Sequence, residues 1–137
     1  MNTKSILLIL LTICLPLAGA EKPPTEKQIA EVKARAEKGD AKAQGLLAEE
    51  YTYGKNKNPD LAYVWATKAA AQGDTTGEFI LGRSYHLGLG VEKSYENALK
   101  WYHESAKKNY PKAQLNLGVG TLLELGLSIW LGKEIID

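Results

Sequence analysis

Apolar and small residues along this chain recur at helical spacing and are interrupted at short intervals by glycine. Ile29, Val32 and Ala36 form one apolar face. Thr25 before them, with Gln28 three residues on, reads as a capping box, and Gly39 as the residue just past the helix end. Asp40 opens a second pattern in which Ala43, Leu47, Ala48 and Tyr51 continue to Tyr53, with Gly54 as its stop. Asn58-Pro59 supplies a cap and a first-turn proline, whose missing N–H costs nothing there, to a helix running to Gln72 and ended by Gly73. Thr75 to Leu87 and Ser94 to Lys108 repeat this alternation around a Gly88-Leu89-Gly90-Val91 turn, and Pro111 opens a further helix. The pattern predicts an all-α chain.

The helices also repeat one another. The run from Arg35 to Gly54 is rewritten from Ala69 to Gly88 at an offset of 34 residues, aligning Gly39 with Gly73, Leu47 with Leu81 and Tyr51 with Tyr85. An offset of 36 relates Trp65 to Trp101, Ala62 to Ala98, Gly77 to Ala113, Leu81 to Leu117 and Gly82 to Gly118. A fixed period in this range, filled with helix formers, predicts a short α-solenoid of antiparallel helix pairs. Small residues at equivalent positions (Ala43, Gly77, Ala113; Ala48, Gly82, Gly118) mark close helix crossings, because a mid-helix glycine costs about 1 kcal/mol and needs a packing reason. By register, the helix from Thr25 to Gly39 is a lone second-type helix that caps the N-terminal end. Repeats are expected at about 39–72 and 73–108, with a partial one over 109–137 as a C-terminal cap.

The run Gly77, Leu81-Gly82, Tyr85, Gly88-Leu89-Gly90-Val91, Ala98 and Trp101-Tyr102 resembles the Sel-one-like repeat family, relatives of tetratricopeptide repeats. The resemblance spans roughly Ala30 to Gly118. The first repeat departs from it, since its Lys55–Asn58 loop is two residues shorter and lacks Gly-x-Gly-Val. It implies a module that presents a surface to another protein. Small exported members of the family include immunity proteins that neutralise a toxic antibacterial effector, often a phospholipase; others are scaffolds for envelope or host proteins.

Composition narrows the setting. Lys4, the apolar run Ile6–Leu17 and Ala18-Gly19-Ala20 read as a signal peptide over residues 1–20, cleaved after Ala20. The domain then covers 21–137 and is expected in a bacterial periplasm. Cys14 is the one cysteine, so a processed chain has no disulfide, no thiol nucleophile and no cysteine-held zinc. The whole chain carries 17 Lys and Arg against 16 Asp and Glu, and loss of Lys4 balances it. With only Arg35 and Arg83 as arginines, no basic nucleic-acid face is expected.

Past Gly118 the register decays. Leu115 to Gly132 holds the single charge Glu124, long enough to raise a membrane span, but four glycines and a persisting register through its first half argue against one. An atypical capping repeat is expected; an altered reading frame would read the same. Dimerisation through Leu115–Leu131 stays open.

Candidate chemistry is sparse. His86 and His103 form no metal-ligand spacing, and Gly88-Leu89-Gly90 lacks the third glycine, the following Lys and the preceding strand of a phosphate loop. The serines sit in no nucleophile motif, so neither an enzyme nor a cofactor is expected, a hydrolase being the remote alternative. The surface is more informative. We project the first-type helices at about 100° per residue from the small position Ala43/Gly77/Ala113. Their packing residues then gather on one side, and the sector at about 180–280° is left for the concave side. There lie Gly45, Glu49, Thr52 and Tyr53, then Phe79, Arg83, His86 and Leu87, then Leu115, Val119, Leu122 and Leu123. Aromatics and Arg dominate binding hot spots. Tyr53, Phe79, Arg83, His86 and Leu87 are therefore the expected partner anchors, with Glu49 as a rim charge; the competing reading packs Phe79 and Leu87 on a neighbouring repeat.

Overall fold

The computed structural model describes residues 23–118, and every regular element among them is helical. The expected signal peptide and the terminal cap beyond Gly118 lie outside the described residues. Five complete helices run α1 (Glu26–Glu37), α2 (Ala41–Tyr53), α3 (Pro59–Ala71), α4 (Thr75–Leu87) and α5 (Tyr95–Lys107), followed by α6 over 111–118.

Each boundary has a chemical cause. Thr25 and Gln28 form the predicted reciprocal capping box on α1. Asp40 accepts from the Ala43 N–H at 3.0 Å, and Asp74, one repeat on, accepts from Gly77 at 2.8 Å. These carboxylates satisfy the orphan donors of the first-type helices α2 and α4. Asn58 and Ser94 do the same for α3 and α5. Gly39 and Gly73 follow the helix ends at φ of 94° and 78°, in the left-handed region. The Gly88-Leu89-Gly90 turn needs both its glycines. Gly88 ends α4 at φ 70°, and a Cβ on Gly90 would stand 2.5 Å from the Pro59 carbonyl oxygen of the previous repeat. That close approach accounts for the motif without a phosphate.

Consecutive helices pack against one another, and α2 also packs directly on α4. No comparable contact joins α1 to α3 or α3 to α5. Tighter spacing among first-type helices than among second-type helices curves a stack toward the former, so α2 and α4 form the inner layer. Ala36, Ala43 and Leu47 make one buried cluster; Phe79, Ile80, Leu81, Ala98, Tyr102 and Ala113 anchor the other, and Trp65 touches both. The small positions are close crossings as predicted. A Cβ on Gly77 would meet that of Ala69 at 2.4 Å, and one on Gly82 would meet the Tyr102 ring at 2.8 Å. Gly118 differs: among the described residues nothing lies within 4 Å of a Cβ placed there.

Candidate protein-binding surface

Four of the side chains on the inner layer converge. Tyr53 ends α2, and its ring carries the Arg83 guanidinium of α4 at 5.0 Å and the Lys112 ammonium of α6 at 5.7 Å. Lys112 reaches on to Glu49, one turn before Tyr53, at 3.1 Å. Three successive first-type helices thus meet at one ring, and the outer two are also joined by an ion pair. The Glu49 carboxylate raises the Lys112 pKa by accepting its hydrogen bond. Burial raises that of Tyr53, against the opposing pull of Arg83 and Lys112. Tyr53 is nonetheless 42 % exposed, so the ring is a platform rather than a core residue.

The repeat explains who sits where. Arg83 occupies the register position of Glu49, and Leu87 that of Tyr53, one repeat on. Leu87 is 48 % exposed and extends the apolar edge past Arg83. His86 turns away toward α5. It lies edge-on to Tyr95 and Tyr102, with its Nδ1 3.4 Å from the Tyr102 hydroxyl, and braces the α4–α5 pair. Burial pushes the Tyr102 hydroxyl up to about 12.

Phe79 is a correction. Expected as an anchor, it is 3 % exposed and packs against the rings of Tyr102 and Tyr110. Gly45, its counterpart one repeat earlier, is likewise buried, and a Cβ there would strike the Asp74 carboxylate. Asp74 and Tyr110 both stand just before a following first-type helix. The edge of the projected sector near 200° therefore points along the stacking axis, into the next repeat, and not into the open curve. Leu115, the next residue in this register, is 68 % exposed.

Lys112 is the member of this cluster that sequence reasoning missed. It stands immediately before the reference residue Ala113, at about 260° in the same projection and so inside the inner sector. Lys42 holds the same register position in the first repeat. Next to this cluster a groove of about 830 Å³ runs between α1 and α2, lined by Pro24, Ile29, Val32, Leu46, Glu49, Tyr53 and Lys112. His103 is exposed on α5. Among the described residues no three metal-capable side chains come together, and no helix is long and apolar enough to cross a membrane.

A curved two-layer stack with this inner face is a helical repeat module for protein–protein contact. The Sel1 repeat matches residues 41–74 and 76–110, and the chain belongs to that family. A Sel1 repeat protein from Oxalobacter formigenes is 31 % identical and superposes with a TM-score of 0.60 over 74 % of this chain and 76 % of its own. A protective antigen of uropathogenic Escherichia coli with an SLR fold is 42 % identical, with a TM-score of 0.59 over 66 % of this chain and 20 % of its own. Among curated proteins, DAP3-binding cell death enhancer 1 of Rattus norvegicus is 30 % identical over 95 residues, which is 69 % of this chain. Chitin synthase regulatory factor 3 of Schizosaccharomyces pombe is 36 % identical over 61 residues, or 44 % of this chain. The chain spans less than a fifth of these curated relatives, 19 % and 6 % respectively.

Proposed function

We propose that this chain is an exported binding module that seats a partner protein on its inner face and acts as a periplasmic immunity protein, blocking a toxic antibacterial effector such as a phospholipase. The observation that carries the binding reading is the Tyr53–Arg83–Lys112–Glu49 cluster, drawn from three repeats and left partly open to solvent. A rigid surface laid over an active site inhibits without chemistry of its own, and hot-spot aromatics and Arg supply the affinity. Export is read from Lys4, the apolar run after it and Ala18-Gly19-Ala20.

The test is a pull-down with the processed chain, followed by co-expression with the captured toxin in the periplasm. Protection of the cells, lost on Tyr53→Ala, is the expected result. Capture of a partner whose toxicity is unaffected would overturn the immunity reading. A scaffold role is the second reading. It is favoured by the names of the relatives, one a regulatory factor and one a DAP3-binding protein, and it predicts a captured partner that is not toxic at all.

A further inference from the structure

Arg83 is the outlier among the charged groups of the inner face. Lys112, on the same Tyr53 ring, is already neutralised by Glu49. No ion pair among the described residues involves Arg83, whose Nε is buried without a hydrogen-bond partner. A guanidinium so placed has lost water on one side while keeping its donors, and a carboxylate matches its planar fork in charge and geometry. The tyrosine beneath fixes that plane. Beside it on the same ring lies a second cation, Lys112, and Glu49, the acid one turn before Tyr53, is engaged by that lysine. Two cations on one ring against a single engaged acid leave this exposed cluster with a surplus positive charge, centred on Arg83, which suits an acidic segment.

We propose that the partner is held through an internal acidic segment of its polypeptide, one of whose side-chain carboxylates pairs with Arg83 above the Tyr53 ring. This deepens the inner-face reading of function and rests on it. The exposed Leu87, at the register position of Tyr53 one repeat on, flanks Arg83, so apolar residues interleaved with the acids complete the match.

Fluorescence anisotropy with a labelled, end-blocked peptide alternating Glu with Leu tests it, beside a Lys-for-Glu peptide and a single-stranded DNA of equal length. The full chain should bind the acidic peptide in preference to the other two, more weakly at higher salt. Arg83→Gln should weaken binding by about tenfold or more, and Arg83→Lys by less, because charge is kept and the fork lost. Thermal melting of Arg83→Lys alongside separates a binding loss from a folding loss. No binding of the acidic peptide, equal binding of the Lys peptide or an unaffected Arg83→Gln would overturn the proposal. A preference for DNA would reassign the face to nucleic acid, and binding only when the peptide carboxy-terminus is free would reassign it to chain ends.

With a captured partner the two readings part. Binding that survives Arg83→Gln but is lost on Leu87→Glu rejects the acidic segment and keeps the inner face. Binding that survives Arg83→Gln, Leu87→Glu and Tyr53→Ala rejects both.

Discussion

Phe79 and Leu87 lie on one helix, both apolar and both projected toward the open curve, yet the fold buries the first and exposes the second. The difference lies in what the paired helix and the next repeat bring. Tyr110 and Tyr102 close over Phe79, whereas Leu87 ends α4 beside a glycine turn. Phe79→Ala should therefore cost about 3–5 kcal/mol of unfolding free energy, while Leu87→Ala should stay within about 0.5 kcal/mol. Urea denaturation of the two variants checks this, and a stable Phe79→Ala protein would return Phe79 to the surface. Tyr102 sets a second residue-level expectation. Its folded pKa of about 12 lies above the ordinary phenol value of 10.0, so the neutral form is favoured by folding. Its contribution is complete below pH 10 and is lost as pH rises from there toward 12, because the unfolded chain ionises first. A difference of this size sets the loss at no more than about 3 kcal/mol. Denaturation midpoints at pH 9 and 11.5 measure it, and Tyr102→Phe should flatten that difference. An equal drop in the variant would move the effect to Tyr53 and Tyr85, whose pKa values are also raised.

Between elements, the two repeats solve one junction with different chemistry. In the first, Gln72 donates to the Gly39 carbonyl at 3.1 Å and to Gln44 at 2.8 Å, while Gln44 donates to the Ala36 carbonyl. In the second, Lys108 replaces Gln72, donating to the Gly73 carbonyl at 2.9 Å, and Glu78 replaces Gln44 and pairs with Lys108. Gln114 of the third repeat again donates to the Ala106 carbonyl, as Gln44 does to Ala36. Glu78 has no proton to give in that way, and its buried Oε2 is left without a partner. The neutral pair is thus the better satisfied solution. Converting the second junction to the first, Glu78→Gln with Lys108→Gln, should leave stability within about 1 kcal/mol or raise it. Lys108→Ala alone should cost about 1–3 kcal/mol by stranding the buried carboxylate. A double variant weaker than Lys108→Ala would show that the ion pair itself holds the junction. Close crossings behave differently, because no side chain can relax into them. Gly82→Leu, forced into the Tyr102 ring, should cost about 1–3 kcal/mol or more, and an unchanged melting curve would remove the crossing from the packing account.

Across the whole molecule, period and punctuation were readable because each is local: Asp40 and Asp74, Gly39 and Gly73, and Asn58-Pro59 act within a turn of where they stand. The direction of a side chain relative to the next repeat was not, since it depends on the stacking rotation, which no single helix encodes. Phe79 was misplaced for that reason, whereas Lys112 lay inside the projected sector, one residue ahead of its reference position. Stacking also sets how the molecule should come apart. Each helix touches its neighbours in sequence, and the longer-range links are the inner contact of α2 with α4 and the reach of Lys112 from α6 to α2, so stability is close to a sum of adjacent interfaces. Ala113 is fully buried where α6 meets the preceding pair. Ala113→Arg should therefore expel α6 while sparing the far end of the stack. Amide hydrogen exchange would then rise in α6 and around Phe79 and Tyr102, but stay at wild-type levels in α1 and the first half of α2. The same variant should free Lys112 from Glu49 and thin the inner-face cluster without unfolding it, because the Arg83–Tyr53 contact lies wholly within α2 and α4. A uniform loss of protection from α1 to α5 would instead make the array one cooperative unit, with binding at its inner face inseparable from the integrity of its last helix.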